Sequence, residues 1–258
     1  MVFFRSRLLL ACTLALAAAL PARAADAPMD ACPATPVKPL VLPRVKEALD
    51  HNSELTIVAF GSSSTQGWHA SSIAHSYPAV LQAELSAALP NAHIAVINRG
   101  VGGQDAAEML PRVEADVVEV RPSLVIWQVG ANGALKNRDP QEFRRLVVDG
   151  VHRLREKGLD VVLMDNQRAP LILASPLHQQ IDQVLIDVAA QTGIGLFDRG
   201  GLMDQWQFSG RPYGEFISDD GVHHNDLGYR CVAQALASSI LAGLNVPAPA
   251  LRSASARR

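Results

Sequence analysis

Short apolar runs alternate with helical stretches along this chain of 258 residues, and this alternation constrains the fold more than any other feature. Runs of about five apolar residues that end in glycine or polar residues are typical of strands buried on both faces. Strands that alternate with helices predict an α/β protein, with a central five-stranded parallel sheet covered by helices on both faces. The predicted strands are Leu55–Phe60, His93–Asn98, Leu124–Gln128, Asp160–Met164 and Gly195–Phe197.

The segments between the strands have helical spacing and recognisable start and stop signals. Gly158 and Gly193 each end a predicted helix, and Asn225 is the predicted N-cap of the last one. The predicted helices cover residues 44–51, 77–89, 106–120 with Pro111 as a candidate break, 140–157, 176–191 and 225–244.

The N-terminal residues 1–24 predict a secretory signal peptide. Arg5 and Arg7 precede the apolar run Leu8–Leu20, which is short for a membrane span, and Ala22-Arg23-Ala24 is a small-residue cleavage site. We expect cleavage after Ala24 and a periplasmic or secreted protein, and favour this over an uncleaved anchor.

The rest of the chain divides into three parts by composition. Residues 25–52 are an irregular lead-in with one short helix, and residues 53–245 carry the alternating pattern of one domain. Residues 246–258, rich in proline, alanine and arginine, predict a flexible tail.

The charge of the chain and the length of its apolar stretches argue against several classes of partner. The formal net charge is −2, and Arg5, Arg7 and Arg23 belong to the predicted signal peptide, so the remaining chain is more acidic. An acidic body argues against a nucleic-acid partner and against anionic membranes. No other stretch is long and apolar enough to span a bilayer, so we expect no stable membrane insertion after signal cleavage.

Two of the three cysteines, Cys32 and Cys231, lie beyond the predicted signal peptide. In an oxidising compartment they could form a disulfide, and the alternative is a pair of buried free thiols. No Cys/His cluster has the spacing of a metal site, so we expect no metal.

Four short segments lie where the predicted architecture would bring them together. Three follow the first three strands, and the fourth precedes the last helix: Gly61–Gly67, Asn98–Gly103, Gly130–Asn132 and Asp220–His223. In a flavodoxin-like strand order of 2-1-3-4-5, the carboxyl ends of strands one and three flank a ligand-binding crevice. The segments supply a nucleophile, oxyanion donors and a base with its acid, which are the roles that acyl transfer needs.

Ser63 is the candidate nucleophile, because it lies in a glycine-bracketed turn directly after a buried strand. His223 is the candidate base, and Asp220 can accept its Nδ1–H and so orient the ring. The alternatives are a helix-capping serine, a surface turn at Asp220, and the adjacent His224 as base. The other histidines have no paired acid in the sequence and are expected to be structural or solvated: His69, His75, His93, His152 and His178.

The backbone N–H groups of Ser63 and Gly103 and the side chain of Asn132 are the candidate oxyanion donors. The alternatives are a tight strand-to-helix turn at Gly103 and an Asx turn at Asn132. Neither a dinucleotide-binding glycine motif nor a P-loop is present.

The four segments, in this order, resemble the blocks of the SGNH or GDSL-type hydrolase superfamily over residues 53–243. The most specific part is Asp220-Gly221-Val222-His223, followed by Asn225 and Gly228-Tyr229. The resemblance implies a flavodoxin-like three-layer α/β/α sandwich and no cofactor. It also implies a Ser-His-Asp triad and an oxyanion hole, built from Ser63, His223, Asp220, Gly103 and Asn132.

The chain departs from the superfamily pattern in three places. Ser62 stands where an acidic residue usually precedes the nucleophile, Gly133 where an acid often follows the asparagine, and His224 where a proline often follows the base. Ser62 matters most, because a carboxylate that could brace the nucleophile turn is missing.

These observations predict an exported serine esterase that hydrolyses short acyl esters, chiefly O-acetyl esters on carbohydrate, through an acyl-enzyme. Aromatic residues within 203–216, together with Trp68 and Tyr77, either wall the cleft or form ordinary packing. The alternatives are a short-chain lipase, a thioesterase or an acetyltransferase acting on small-molecule esters. From another class, the chain could be a non-catalytic, exported glycan-binding protein.

Overall fold

A parallel sheet of five strands lies at the centre of the computed structural model, which describes residues 31–52 and 54–246. The strands are β1 (Glu54–Gly61), β2 (His93–Gly100), β3 (Leu124–Gln128), β4 (Asp160–Met164) and β5 (Gly195–Phe197). Their order is β2-β1-β3-β4-β5. The predicted strands and the predicted order are therefore confirmed, with β1 and β2 slightly longer than expected.

Helices connect the strands. The first six are α1 (Pro43–Asn52), α2 (Ser63–Gln66), α3 (Tyr77–Ala88), α4 (Ala106–Met109), α5 (Val113–Asp116) and α6 (Ala131–Leu135). The others are α7 (Pro140–Glu156), α8 (Pro170–Leu173), α9 (His178–Thr192), α10 (Arg199–Phe208) and α11 (Asp226–Gly243). Single 3-10 turns lie at Ile73–His75, Leu110–Arg112, Val118–Val120 and Tyr213–Glu215.

Successive strand residues point into two separate hydrophobic cores, one on each face of the sheet. In β1, Ile57 and Ala59 contribute to one core, which also contains residues of α1, α3, α10 and α11. Val58 and Phe60 contribute to the other, together with residues of α4, α5, α7 and α9. Because strand side chains alternate between faces, this pattern gives the three-layer α/β/α sandwich that the sequence predicts.

The helical segment expected over residues 106–120 is present in short pieces, and the candidate break at Pro111 is confirmed. Asp105 caps α4 with a capping box that includes Glu108, but α4 ends at Met109. Pro111 has no N–H to continue the ladder, and a 3-10 turn begins at Leu110. The chain therefore crosses this face of the sheet in short helical pieces.

The helix α10 was not predicted, because Gly200 and Gly201 lower the helical propensity of its first turn. Asp198 caps it by accepting from the backbone N–H of Gly201 at 2.7 Å. A Cβ atom at Gly200 would lie 2.5 Å from the guanidinium of Arg168, so the glycine makes room for that side chain.

The lead-in is tied to the last helix. Cys32 and Cys231 form a disulfide, and the backbone N–H of Leu40 donates to Ser239 at 3.0 Å. The described residues from Cys32 onward belong to one compact unit. The predicted signal peptide, residues 1–24, and the tail from residue 247 lie outside the described residues. Of the helices that the structure describes, none combines the length and the apolar character needed to cross a membrane.

Candidate active site

The nucleophile turn is packed tightly at the end of β1. Ser62 is the N-cap of α2, and Ser63, the first residue of that helix, is buried. A Cβ atom at Gly61 would lie 2.2 Å from the Thr65 hydroxyl oxygen, so only glycine fits between the strand and the helix. The turn is thus set by backbone and packing rather than by a capping side chain.

The side chain of Gln128 braces this turn. Its Oε1 accepts from the backbone N–H of Ser62 at 3.0 Å and from the Ser62 hydroxyl at 2.9 Å. It also accepts from the Thr65 hydroxyl at 3.2 Å. Because Gln128 is the last residue of β3, the neighbour of β1, it reaches the place where the usual acid is replaced by Ser62. The expected gap in bracing is therefore filled by an amide that sequence reasoning missed, and the adjacency of strands one and three was the available signal.

Ser63, His223 and Asp220 form one hydrogen-bonded chain. The distance from the Ser63 Oγ to the His223 Nε2 is 2.7 Å. The His223 Nδ1 lies 2.5 Å from the Asp220 Oδ2. Folding thus brings together residues that lie 160 positions apart, with the ring nitrogens in the orientation that a general base requires.

The Asp-Gly-Val-His turn folds the carboxylate back onto the first histidine. Gly221 has a φ of +69°, a conformation that favours glycine. The second carboxylate oxygen of Asp220 accepts from the backbone N–H groups of Val222 and His223, each at 2.9 Å. The hydroxyl of Ser218 donates to the same oxygen at 2.6 Å. One carboxylate oxygen, Oδ1, is therefore fixed by these three donors, and the other, Oδ2, faces the imidazole.

The environment keeps Asp220 ionised. Burial by itself raises the pKa of this carboxyl, but the hydrogen bonds from Ser218 and His223 outweigh it and hold the pKa well below its usual range. A negative charge beside Nδ1 favours the tautomer with its proton on that nitrogen.

His224, the competing candidate base, contacts the backbone of Phe216. Its ring is fully buried, and its Nδ1 lies 3.0 Å from the backbone oxygen of Phe216. Burial, assisted by the charge of Arg199, lowers the pKa of His224 to about 3. The geometry therefore places His224 in the core, whereas the His223 ring contacts the Ser63 hydroxyl.

The candidate oxyanion segments pack against α2. The amide of Asn98 donates to the backbone oxygen of Thr65 at 2.8 Å, and the Gly102 N–H donates to the Gln66 side chain at 2.8 Å. A Cβ atom at Gly100 would lie 2.1 Å from the Gln66 backbone nitrogen, so this glycine permits the close approach. The loop after β2 is thereby fixed beside the nucleophile helix.

Asn132 and Gly103 lie on connected segments. The Asn132 side chain, in α6, donates one amide hydrogen to the backbone oxygen of Gln104 at 2.8 Å. The amide has a second hydrogen that this bond does not use. Gly103 has a φ of +77°, and a Cβ atom added there would have no neighbour within 4 Å, so its backbone lies beside open space. The Ser63 N–H belongs to the first turn of α2, where intrahelical acceptors are lacking.

Of the aromatic residues predicted to wall the cleft, Trp68 lies beside His223. Its side chain is 51% exposed, and its ring lies 5.7 Å from that of His223. Trp206, Phe216 and Tyr77 are buried, and the first two pack on each other with ring centroids 4.5 Å apart. For these three residues the alternative, ordinary packing, is correct.

His69 joins the site, although the sequence shows no acid paired with it. Its Nε2 lies 3.2 Å from the Asp220 Oδ2, and its ring stacks on His223 with centroids 5.5 Å apart. His75 likewise pairs with Asp226 at 3.1 Å. The expectation that these two histidines have no acidic partner is wrong, because the acids come from a distant segment that only the fold brings near.

The chain is similar to known esterases in sequence and in structure. A 112-residue segment is 28% identical to esterase TesA of Pseudomonas aeruginosa; it spans 43% of this chain and 50% of that protein. A two-domain esterase active on acetylated mannans is similar in structure, with a TM-score of 0.69, 22% identity, and coverage of 84% of this chain and 58% of the other. A lipase/acylhydrolase from Enterococcus faecalis has a TM-score of 0.64 and 22% identity, with coverage of 76% and 99%.

The chain thus spans about half the length of the curated relative that it matches. The five-stranded parallel α/β fold matches that of these neighbours, and together with the family model it supports the SGNH-type hydrolase superfamily that the sequence resembles. Residues 27–246 match the non-GDSL lipase-like family, and the chain belongs to that family.

Proposed function

We propose that this protein is a serine esterase in which Ser63 is the nucleophile. The observation that carries the proposal is the hydrogen-bonded chain from Ser63 through His223 to Asp220. The His223 Nε2 takes the proton of the Ser63 hydroxyl as Oγ attacks the ester carbonyl. The same nitrogen returns that proton to the leaving alcohol, which leaves an acyl-enzyme. Water, deprotonated by His223, then releases the acid and restores the serine.

The oxyanion that forms during attack is stabilised by three donors in this proposal. They are the N–H groups of Ser63 and Gly103 and the second amide hydrogen of Asn132. The bond from Asn132 to Gln104 supports this assignment, because it holds the amide beside the segment that contains Gly103. Donors held in place before the reaction stabilise the transition state without reorganising.

The proposed substrates are short acyl esters, chiefly O-acetyl groups on carbohydrate. The similarity to an esterase active on acetylated mannans supports this class. The exposed ring of Trp68 beside His223 offers a flat apolar face on which a sugar ring can rest. The second candidate, a short-chain lipase, thioesterase or acetyltransferase, is supported by the likeness to a lipase/acylhydrolase. A panel of acetylated oligosaccharides, longer-chain esters and thioesters separates these candidates.

The proposed location is the periplasm or the exterior. Two observations support it: the signal-peptide pattern that ends at Ala24, and the disulfide between Cys32 and Cys231, a bond that persists in oxidising compartments. N-terminal sequencing of the protein from cell fractions tests this proposal. Exported protein should begin at Ala25, and protein that retains Met1 in the cytoplasm would contradict it.

The catalytic proposal is tested by Ser63→Ala with p-nitrophenyl acetate as the substrate. We expect kcat/KM to fall by about 10⁴-fold or more, because nucleophile and base act as a unit. Ser64→Ala, in the same turn, is the matched control and should stay within about ten-fold of the parent enzyme. Circular dichroism verifies that both variants are folded. Comparable activity in the Ser63 variant would exclude Ser63 as the nucleophile.

A further inference from the structure

Folding builds a cluster of metal-ligating atoms that the sequence spacing does not reveal. The cluster comprises one nitrogen each from His69 and His223 and a carboxylate oxygen of Asp220, all within 4.8 Å of one another. Two imidazoles and a carboxylate are a ligand set that Zn²⁺ binds in proteins. The His69 side chain is 38% exposed, so the cluster is open to solvent from that side.

His69 is held in place by the segment around it. Its φ is +63°, a left-handed backbone conformation that is uncommon for a residue with a side chain. The preceding carbonyl, of Trp68, accepts from the buried hydroxyl of Tyr229 at 2.7 Å. Two residues further on, Ser71 donates its backbone N–H and its hydroxyl to Asp226 at 2.8 and 2.6 Å. Both flanks are therefore fixed, and the His69 ring is held beside the His223 ring, with the two centroids 5.5 Å apart.

We propose that His69, Asp220 and His223 form an inhibitory site for Zn²⁺. Zinc bonds of about 2.1 Å in a tetrahedron place neighbouring ligand atoms roughly 3.4 Å apart. The distance between His69 Nε2 and Asp220 Oδ2, 3.2 Å, is already close to this spacing. The contact between Asp220 Oδ2 and His223 Nδ1, 2.5 Å, must open by roughly 1 Å to admit the ion. Asp219, with a carboxylate oxygen 3.8 Å from the other nitrogen of His69, adds negative charge on the solvent side.

The inhibition follows from the tautomer of His223, and this half of the inference rests on the proposed esterase function. Zinc takes the lone pair of Nδ1, so the proton on that nitrogen leaves to solvent. Nε2 takes up one proton in its place, and the protonation of the ring does not change. An Nε2 that carries a proton donates to the Ser63 hydroxyl and no longer accepts from it. The serine therefore loses its base while the fold and the nucleophile stay intact.

Isothermal titration calorimetry with ZnCl₂ tests the site on the oxidised protein, in which Cys32 and Cys231 are bridged and offer no thiolates. We expect one saturable site. His69→Asn should weaken it at least ten-fold; asparagine tolerates the left-handed backbone better than most residues. His75→Asn, which removes another histidine of the same segment, is the matched control and should retain the affinity. Unchanged affinity in His69→Asn, or no saturable binding below about 1 mM, would overturn the proposal.

Ester hydrolysis is a second readout, with each variant compared to its own zinc-free rate. We expect inhibition that chelation by EDTA reverses and that weakens in His69→Asn in parallel with binding. Zinc that binds at His69 without slowing hydrolysis would overturn the inhibitory role. Normal zinc binding by a protein that hydrolyses no ester would support the metal site and contradict the proposed function, so the two failures are distinguishable.

Discussion

Acid should destabilise this protein through His224, a buried histidine outside the proposed catalytic chain. Burial, assisted by the charge of Arg199, lowers the pKa of His224 from 6.5 to about 3. Below pH 6.5 the unfolded chain binds a proton at this residue, whereas the folded protein stays neutral there until about pH 3. The stability that the neutral form provides is therefore complete above pH 6.5 and is lost as the pH falls toward 3.

The size of this effect follows from the shift. At 1.36 kcal/mol for each pKa unit, lowering the pH from 7 to 4 should remove about 3 kcal/mol of unfolding free energy through His224 alone. His224→Asn removes the titration. The asparagine amide can donate to the Phe216 carbonyl in place of the His224 Nδ1–H. The loss of the ring should destabilise the variant, and this loss should be about the same at every pH. The variant should therefore be less stable than the parent at pH 7. At pH 4 the difference between their unfolding free energies should be smaller by about 3 kcal/mol, because only the parent loses stability through His224.

Urea denaturation of the oxidised protein at pH 7, 6, 5 and 4 measures these free energies. Burial also raises the pKa of Asp165 and of Asp182, but both carboxyls are present in parent and variant, so the difference between the two proteins isolates His224. Parallel curves for the two proteins over this range would refute the reasoning, because they would mean that His224 is not held neutral in the fold.

Three further predictions concern the catalytic site and use p-nitrophenyl acetate. Gln128→Ala should lower kcat by about 10- to 100-fold with little change in KM, because it removes the hydrogen bonds that brace the nucleophile turn. Gln128→Glu keeps an acceptor and should recover part of this loss. Equal activity in the two variants would contradict a bracing role. Asn132→Ala should lower kcat by about 10² to 10³, since an oxyanion contact forms mainly in the transition state, whereas a change confined to KM would mean that Asn132 only positions substrate. His223→Ala should lose several orders of magnitude in kcat/KM and His224→Asn far less; the opposite ranking would move the proposed base by one residue.

The sheet could be predicted from the sequence because its signals are local. Runs such as Leu124–Gln128 and Asp160–Met164 are short, apolar and bounded by turn residues, and their observed limits are as predicted. Alternation with helices then implies parallel pairing, and the strand order follows from the resemblance. The break near Pro111 was predictable from the proline itself. The glycine-containing α10 was missed because its conformation depends on packing against the sheet rather than on periodicity.

The candidate site was predictable where one segment contains the whole interaction. Asp220 and His223 belong to a single turn, so their contact follows from the spacing. Gln128 and His69 were missed for the opposite reason: one reaches the nucleophile turn across the boundary between two strands, and the other meets an acid about 150 positions away. Interactions of this kind depend on the fold, so they cannot be predicted from the residue type at a given position.

Covalent labelling by a serine-directed fluorophosphonate, mapped by peptide mass spectrometry, tests the central claim most directly. We expect one adduct per chain, on Ser63. Labelling of His223→Ala should be slower by several orders of magnitude, because the hydroxyl then lacks its base. An adduct on Ser62 or Ser64 instead, or ester hydrolysis by a chain that the reagent does not modify, would contradict the assignment of Ser63 as the nucleophile.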